Sequence, residues 1–144
     1  MQLTAYTDYT LRTLMGLGAA APDKLTMGQL SGAYGISVHH LLKVVNGLAA
    51  LGYVETTRGK GGGARLAKAP EAINIGVLVR QVEPELGVVP CLRTGEAPCV
   101  IAPACQLKRA LQGATECFLA ELDRFTLADL LGPRNKLQRL LQLV

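Results

Sequence analysis

Cys91, Cys99 and Cys105 fall within one short stretch, Cys91-Leu-Arg-Thr-Gly-Glu-Ala-Pro-Cys99-Val-Ile-Ala-Pro-Ala-Cys105. A thiolate is a soft, negatively charged ligand. Three of them bunched in a chain with only four cysteines point to a bound metal or cluster. The gaps of seven and five residues are wider than the knuckles of about two to four residues found in structural zinc sites. Wider spacing on a flexible stretch can wrap a larger object, such as an iron–sulfur cluster, whose irons favour thiolates. Three cysteines leave one position to be filled from elsewhere or left reactive. Cys117 comes twelve residues after Cys105, roughly 18 Å along a straight helix. It is read as a small core residue, not a ligand.

A second set of residues suits nucleic acid. Residues 1–70 hold seven Lys/Arg against three Asp/Glu, whereas residues 71–144 hold eight of each, so the net charge of +4 belongs to the first half. Arg58, Lys60, Arg65 and Lys68 cluster with no acid among them, around the glycines of Arg58-Gly-Lys-Gly-Gly-Gly63. Such a tip can approach a phosphate backbone closely. Just upstream, Ser37, His39, His40, Lys43 and Asn46 can face outward from a helix and meet base edges in a major groove. Adjacent helical residues point about 100° apart, so His39 and His40 are poorly placed to share one metal ion. Gly59 to Ala64 fits the dinucleotide fingerprint G-x-G-x-x-A, but only six residues, ending in Pro70, follow it. That leaves no helix to meet a pyrophosphate, and the reading is rejected.

The elements that must position these groups are mostly helical. Apolar spacing predicts a first helix over Leu3 to Ala20. Thr26 and Gln29 form a capping box for a second helix that ends at Tyr34-Gly35. Ser37 caps a third helix, closed by Gly52. Two helices across a glycine turn, followed by strands at Tyr53–Thr57 and Ala64–Ala67, make a winged helix-turn-helix. A fourth helix is expected over Asn74 to Glu83, then little regular structure through residues 85–104, where Gly87, Pro90, Gly95, Pro98 and Pro103 fall, with Pro103 placed to open the next helix. A long helix follows from about Ala104 to Arg124, with Leu107, Ala110, Leu111, Ala114, Cys117, Phe118, Leu122 and Phe125 along a coiled-coil-like seam. Dimeric DNA readers need paired half-sites, so we read this as a dimerisation helix rather than one packed on its own core. A last short helix starts at Thr126, and the tail after Pro133 receives no role. The expected fold is therefore mostly α with a small β-hairpin: a winged helix-turn-helix plus a long dimerisation helix. The expected division is 1–70 for DNA reading and 71–144 for the cysteine loop and dimerisation helices.

Aromatics make up 4% of the chain, so the core is aliphatic, and the mean hydropathy of +0.26 hints at a buried oligomer surface. No apolar run reaches the roughly 18 residues of a spanning helix, and Met1-Gln2-Leu3-Thr4 lacks a signal-peptide layout. A cytoplasmic protein without membrane contact is expected, with thiols kept reduced. No Cys-x-x-Cys motif or compact acid/base constellation is evident, which argues against an enzyme.

These features together resemble the NsrR-type nitric-oxide-sensing iron–sulfur repressors and, more distantly, the IscR regulators. The resemblance is carried by Gln2-Leu3-Thr4, Thr7-Asp8-Tyr9, Leu11-Arg12, Gly52-Tyr53-Val54, the glycine-rich tip with Arg65-Leu66, Ile75-Gly76 and Val82-Glu83-Pro84. It continues through Pro103-Ala104-Cys105, Leu107-Lys108 and the segment from Phe118 to Leu130, so it covers nearly the whole chain. It implies a homodimer that binds a double-stranded DNA operator and senses nitric oxide. It also implies a cluster, [4Fe–4S] favoured over [2Fe–2S], on Cys91, Cys99 and Cys105. The fourth ligand would be Asp8 of the partner subunit, with Arg12 supporting the site. By itself the sequence gives Asp8 a blander role, as a partner for Arg12. Two departures stand out. The gap between Cys91 and Cys99 is longer than the family pattern, and Lys108 stands where IscR-like chains place a histidine, which favours nitric-oxide sensing. The alternatives are a [2Fe–2S] regulator responding to redox or iron, and a zinc-stabilised DNA-binding module that senses nothing.

Overall fold

The computed structural model describes residues 2–95 and 99–143. Helix α1 spans Ala5–Ala20, with Thr4 as its N-cap accepting from Thr7 N. It starts two residues later than the apolar spacing suggests, because Thr4 is extended and leaves Leu3 outside the helix. Helix α2, Met27–Tyr34, opens on the Thr26/Gln29 capping box and ends at Gly35, whose φ of 65° is left-handed. Ser37 then caps α3, Val38–Ala50. Strands β1, Val54–Thr57, and β2, Gly63–Leu66, pair antiparallel with Val54 opposite Leu66. Leu25 adds a further rung by exchanging backbone hydrogen bonds with Ala64 at 2.9 and 2.8 Å. Gly63 permits this approach, since a Cβ there would lie 2.5 Å from the Leu25 carbonyl oxygen.

Helix α4 spans Ile75–Val82 and α5 spans Gln106–Leu122. The stretch between them carries short 3₁₀ turns at Pro90–Leu92 and Ala102–Ala104. Pro103 lies in the second turn rather than opening the long helix, and Cys105 is the N-cap of α5. Pro98, counted among the loop formers, lies outside the described residues. Helices α6, Leu127–Leu131, and α7, Arg134–Leu140, complete the chain. The tail left unassigned by sequence thus forms α7. Its Arg134 and Gln138 side chains both donate to the Ala19 carbonyl at 2.8 Å, which satisfies a carbonyl at the end of α1.

One aliphatic core runs through these elements, from Leu14, Leu17, Leu30, Leu41 and Leu48 to Leu78, Val79 and Leu127. Helix α1 lies at its centre, packed against α2, α3, α4, α6, α7 and β2. The first helix therefore connects the helix-turn-helix and hairpin to everything that follows. Its Thr10 and Thr13 are fully buried, and their hydroxyls have no hydrogen-bond partner among the described residues. Burying an unpaired hydroxyl costs about 1–3 kcal/mol. Thr13→Val keeps the shape and removes that cost, so it is expected to stabilise the fold by about 1 kcal/mol. A rise in the urea midpoint at unchanged slope would show it.

Helix α4 and the end of α5 are locked together. Arg80 binds Asp123 bidentately at 2.5 and 2.8 Å, and Asn74 donates to the Asp123 carbonyl at 2.7 Å. The Arg80 guanidinium holds the Asp123 carboxyl below its usual range. Gly76 makes room for this arrangement, because a Cβ there would collide with the Asp123 side chain.

Candidate DNA interface and metal centre

The cores of α2 and α3 fix which side of α3 faces solvent. Leu41, Val44, Val45 and Leu48 turn inward. His39, Lys43 and Asn46 lie on the opposite side and are exposed. Ser37 is spent on capping, accepting from His40 N at 3.3 Å. His40 lies on the flank nearest α1, with its ring centroid 5.8 Å from that of Tyr9. On that flank the Tyr6 hydroxyl also sits where a side chain at Gly47 would be. Two α1 tyrosines thus bear directly on α3.

The hairpin tip turns through Gly59 and Gly61, at φ of 88° and 76°, which only glycine adopts without strain. Arg58 and Lys60 stand exposed on it, with no ion-pair partner among the described residues. The other two basic residues are engaged elsewhere. Arg65 donates twice to Glu55 across the hairpin, at 3.0 and 2.8 Å. Lys68 lies 4.5 Å over the Tyr53 ring, well back from the tip. The Tyr53 hydroxyl in turn donates to Gln81 on α4 at 2.7 Å, tying the hairpin to the second half of the chain.

The cysteine loop begins where α4 stops. Glu83 caps α4, and its carboxylate is buried against the start of α1. It accepts from Thr4 N at 3.0 Å and from the Thr4 hydroxyl at 3.2 Å. An anion suits the positive end of a 16-residue helix. Glu85 organises the next turn by accepting from the Gly87 and Thr94 amides at 2.7 and 3.1 Å. Those two amides hold its carboxyl below the usual range. This stabilisation is present at neutral pH and is lost as acid titrates the carboxyl through its lowered value. A cleft of about 660 Å³ lies between this turn and α5, lined by Glu83, Glu85, Cys91, Arg93 and Lys108.

Cys91 and Cys105 are half-buried and Cys99 is exposed; all three are free thiols. The Cys105 sulfur accepts from Lys108 N at 3.3 Å, so the positive end of α5 faces a sulfur that would carry negative charge as a ligand. Among the described residues no three His, Cys, Asp or Glu side chains converge on one point. Closing a site on the three sulfurs therefore requires the loop to draw in. As a donor set, three unpaired thiols on one loop fit an iron–sulfur cluster. Asp8 lies far along the sequence, on the first turn of α1, paired with Arg12 at 2.9 Å and roughly half exposed.

Cys117 departs from its expected core position: it is exposed. The reason is the orientation of α5, which buries Leu119 and half-buries Leu111, Phe118 and Leu122 against the body. Leu107, Ala110, Ala114 and Cys117 form an adjoining, exposed strip. The sequence-read seam thus divides into two faces. Sequence reasoning also gave Glu83 no role; nothing local marks it, since its partner is 79 residues away.

The comparisons with known proteins agree with this architecture. The family model described as "Rrf2: Iron-dependent Transcriptional regulator" matches residues 3–133. The chain is 48% identical over 143 residues to the HTH-type transcriptional regulator NsrR of Geobacillus kaustophilus strain HTA426, covering 99% of this chain and 97% of that protein. It is 46% identical over 144 residues to the regulator of the same name in Bacillus subtilis strain 168, with 99% of each covered. Among solved structures, CymR, the global cysteine regulator of B. subtilis, superposes with a TM-score of 0.66 at 25% identity, over 90% of this chain and 95% of that one. IscR of T. potens shares the fold, with a TM-score of 0.68 at 20% identity over 91% of this chain and 86% of that one. A winged helix-turn-helix with a cysteine-bearing loop, matched along nearly its whole length, places the chain in the Rrf2 family: it is a DNA-binding transcriptional regulator of the NsrR type, not an enzyme.

Proposed function

We propose that this chain acts as a cytoplasmic homodimeric repressor whose hold on a double-stranded DNA operator is set by an iron–sulfur cluster responsive to nitric oxide. Residues 1–70 read DNA, and residues 71–144 supply the cysteine loop and the dimer helix. Cys91, Cys99 and Cys105 would hold the cluster, [4Fe–4S] in preference to [2Fe–2S]. Asp8 of the partner subunit would complete the site, supported by Arg12. When bound, the cluster supplies iron that reacts with nitric oxide.

The position of Asp8 carries this reading. Its only ion pair among the described residues is with Arg12, four residues along the same helix and half exposed. Such exposed pairs contribute little, so Asp8 can exchange Arg12 for a metal at small cost. Holding Asp8 fixes the first turn of α1. Tyr6 and Tyr9 on that turn bear on α3, so the hold is passed to the DNA-reading helix. In a two-fold dimer this sets the separation of the two α3 helices, which must match half-sites about 34 Å apart. Cluster state shifts DNA affinity only as far as it stabilises that spacing differently.

The test is operator binding by protein purified without oxygen, with iron and sulfide measured, before and after nitric oxide. Affinity is expected to fall on exposure; unchanged affinity would sink the mechanism. Mössbauer and visible spectra decide between the two cluster types. Ser37, His39, His40, Lys43, Arg58, Lys60 and Arg65 form the DNA-facing set. Neutralising Arg58 and Lys60 together is expected to make the dependence of log K on log salt shallower by about 2 per subunit. Arg65→Ala is expected to do less, because Arg65 is already bound to Glu55.

A further inference from the structure

Two large apolar side chains stand on the exposed side of the DNA-reading helix. Val38 is 43% exposed and Leu42 is 46% exposed. They are four residues apart, so they stack one turn above the other on a single row of α3. Asn46 continues that row by another turn. The row runs along the flank of α3 that faces the hairpin, opposite the flank touched by Tyr6 and Tyr9. Leu42 and Asn46 line a cleft of about 340 Å³ between α3 and the tip, together with Met27, Thr56 and Arg58.

A scattered exposed leucine needs no explanation. This pair differs in its setting. It lies between His39 and Lys43 on one side and Arg58 on the other, and neither α3 nor the lining of the cleft contains an acidic residue. The surface therefore suits a polyanion, and its apolar row suits an apolar group carried by that polyanion. In the major groove of DNA the thymine C5-methyl is such a group.

We propose that Val38 and Leu42 are specificity-determining residues that read thymine methyl groups in the operator. One helical turn is about 5.4 Å and one base-pair step about 3.4 Å, so the two side chains reach thymines one to two steps apart. Arg58 and Lys43 hold the flanking phosphates and leave the sequence reading to the row. The proposal requires DNA binding only, and stands whether or not a cluster controls it.

The experiment selects high-affinity duplexes from a random pool with the full chain purified without oxygen. Each thymine of the selected half-site is then replaced in turn by deoxyuridine, which removes only the methyl. At two positions, one or two steps apart, the parent is expected to bind about fourfold more weakly, the worth of one methyl-sized group. Leu42→Ala is expected to bind the thymine operator more weakly and to lose the discrimination at one of those positions; Val38→Ala is expected to do so at the other. Both side chains are roughly half exposed, and an unchanged melting temperature confirms that the variants are folded. Discrimination that survives in both variants, or no position sensitive to the methyl in the parent, overturns the proposal.

Discussion

Cys105→Ser is expected to abolish iron and sulfide retention while leaving the chain at least as stable as the parent. The two roles of Cys105 separate cleanly. Its sulfur caps α5 by accepting from Lys108 N at 3.3 Å. A serine hydroxyl is among the better N-caps, so the start of the 17-residue helix is preserved. A neutral hydroxyl is a poor substitute for thiolate on iron, so the ligand is lost. Circular dichroism and urea unfolding report the first role; iron content, sulfide content and visible absorption report the second. Cys105→Ala is expected to lose both, with the missing cap costing about 1 kcal/mol. Cys117→Ser offers the contrast. Cys117 is exposed on α5, twelve residues beyond Cys105, and its replacement is expected to leave iron content unchanged. Full iron retention by Cys105→Ser would remove Cys105 from the ligand set.

Glu83→Ala is expected to be the most damaging single change outside the core and the cysteines. The carboxylate is buried and accepts two hydrogen bonds from Thr4, one from its backbone and one from its hydroxyl. Hydrogen bonds to a charged partner contribute about 1.5–3 kcal/mol, and both of these are lost while Thr4, itself exposed, turns to water. A loss of about 2–3 kcal/mol is expected, read from denaturant unfolding. Glu83→Gln retains an acceptor of the same shape and is expected to recover part of it. The consequence for function follows from position. Glu83 ends α4 and starts the cysteine loop, while Thr4 starts the helix that carries Asp8. The variant is therefore expected to weaken the dependence of DNA affinity on nitric oxide more than it weakens DNA binding itself. Equal effects on both would mark Glu83 as a purely structural contact.

Much of this architecture was legible in the residues, and the reason is locality. The Thr26/Gln29 box, the Ser37 cap, the Gly35 turn and the glycine-rich tip each act within a few residues of sequence. Their outcome depends little on what packs against them. The long helix was legible in the same way, but its boundaries were not. Pro103 was free to open it, yet the chain first makes a 3₁₀ turn and hands the cap to Cys105. The seam was visible as a pattern, but a pattern does not say which half of it meets the body. Packing of Leu119 inward turned Cys117 outward.

The cysteine spacing, the basic tip and the capped helix pair are properties of the sequence by itself. They point to thiolate ligands beside a helix-turn-helix through local spacing alone. The tertiary structure alone decided that Glu83 buries its charge on Thr4, that α7 closes the end of α1, and that Arg65 is occupied by Glu55. It also decided that Val38 and Leu42 are exposed and that Leu42 lines a cleft with the hairpin. Caps and turns are fixed by neighbours along the chain, whereas a buried carboxylate or an exposed leucine is fixed by what the core brings near it. In this protein the core is gathered around α1, so the contacts that join the cysteine loop to the DNA-reading helix arise only when the whole chain has packed.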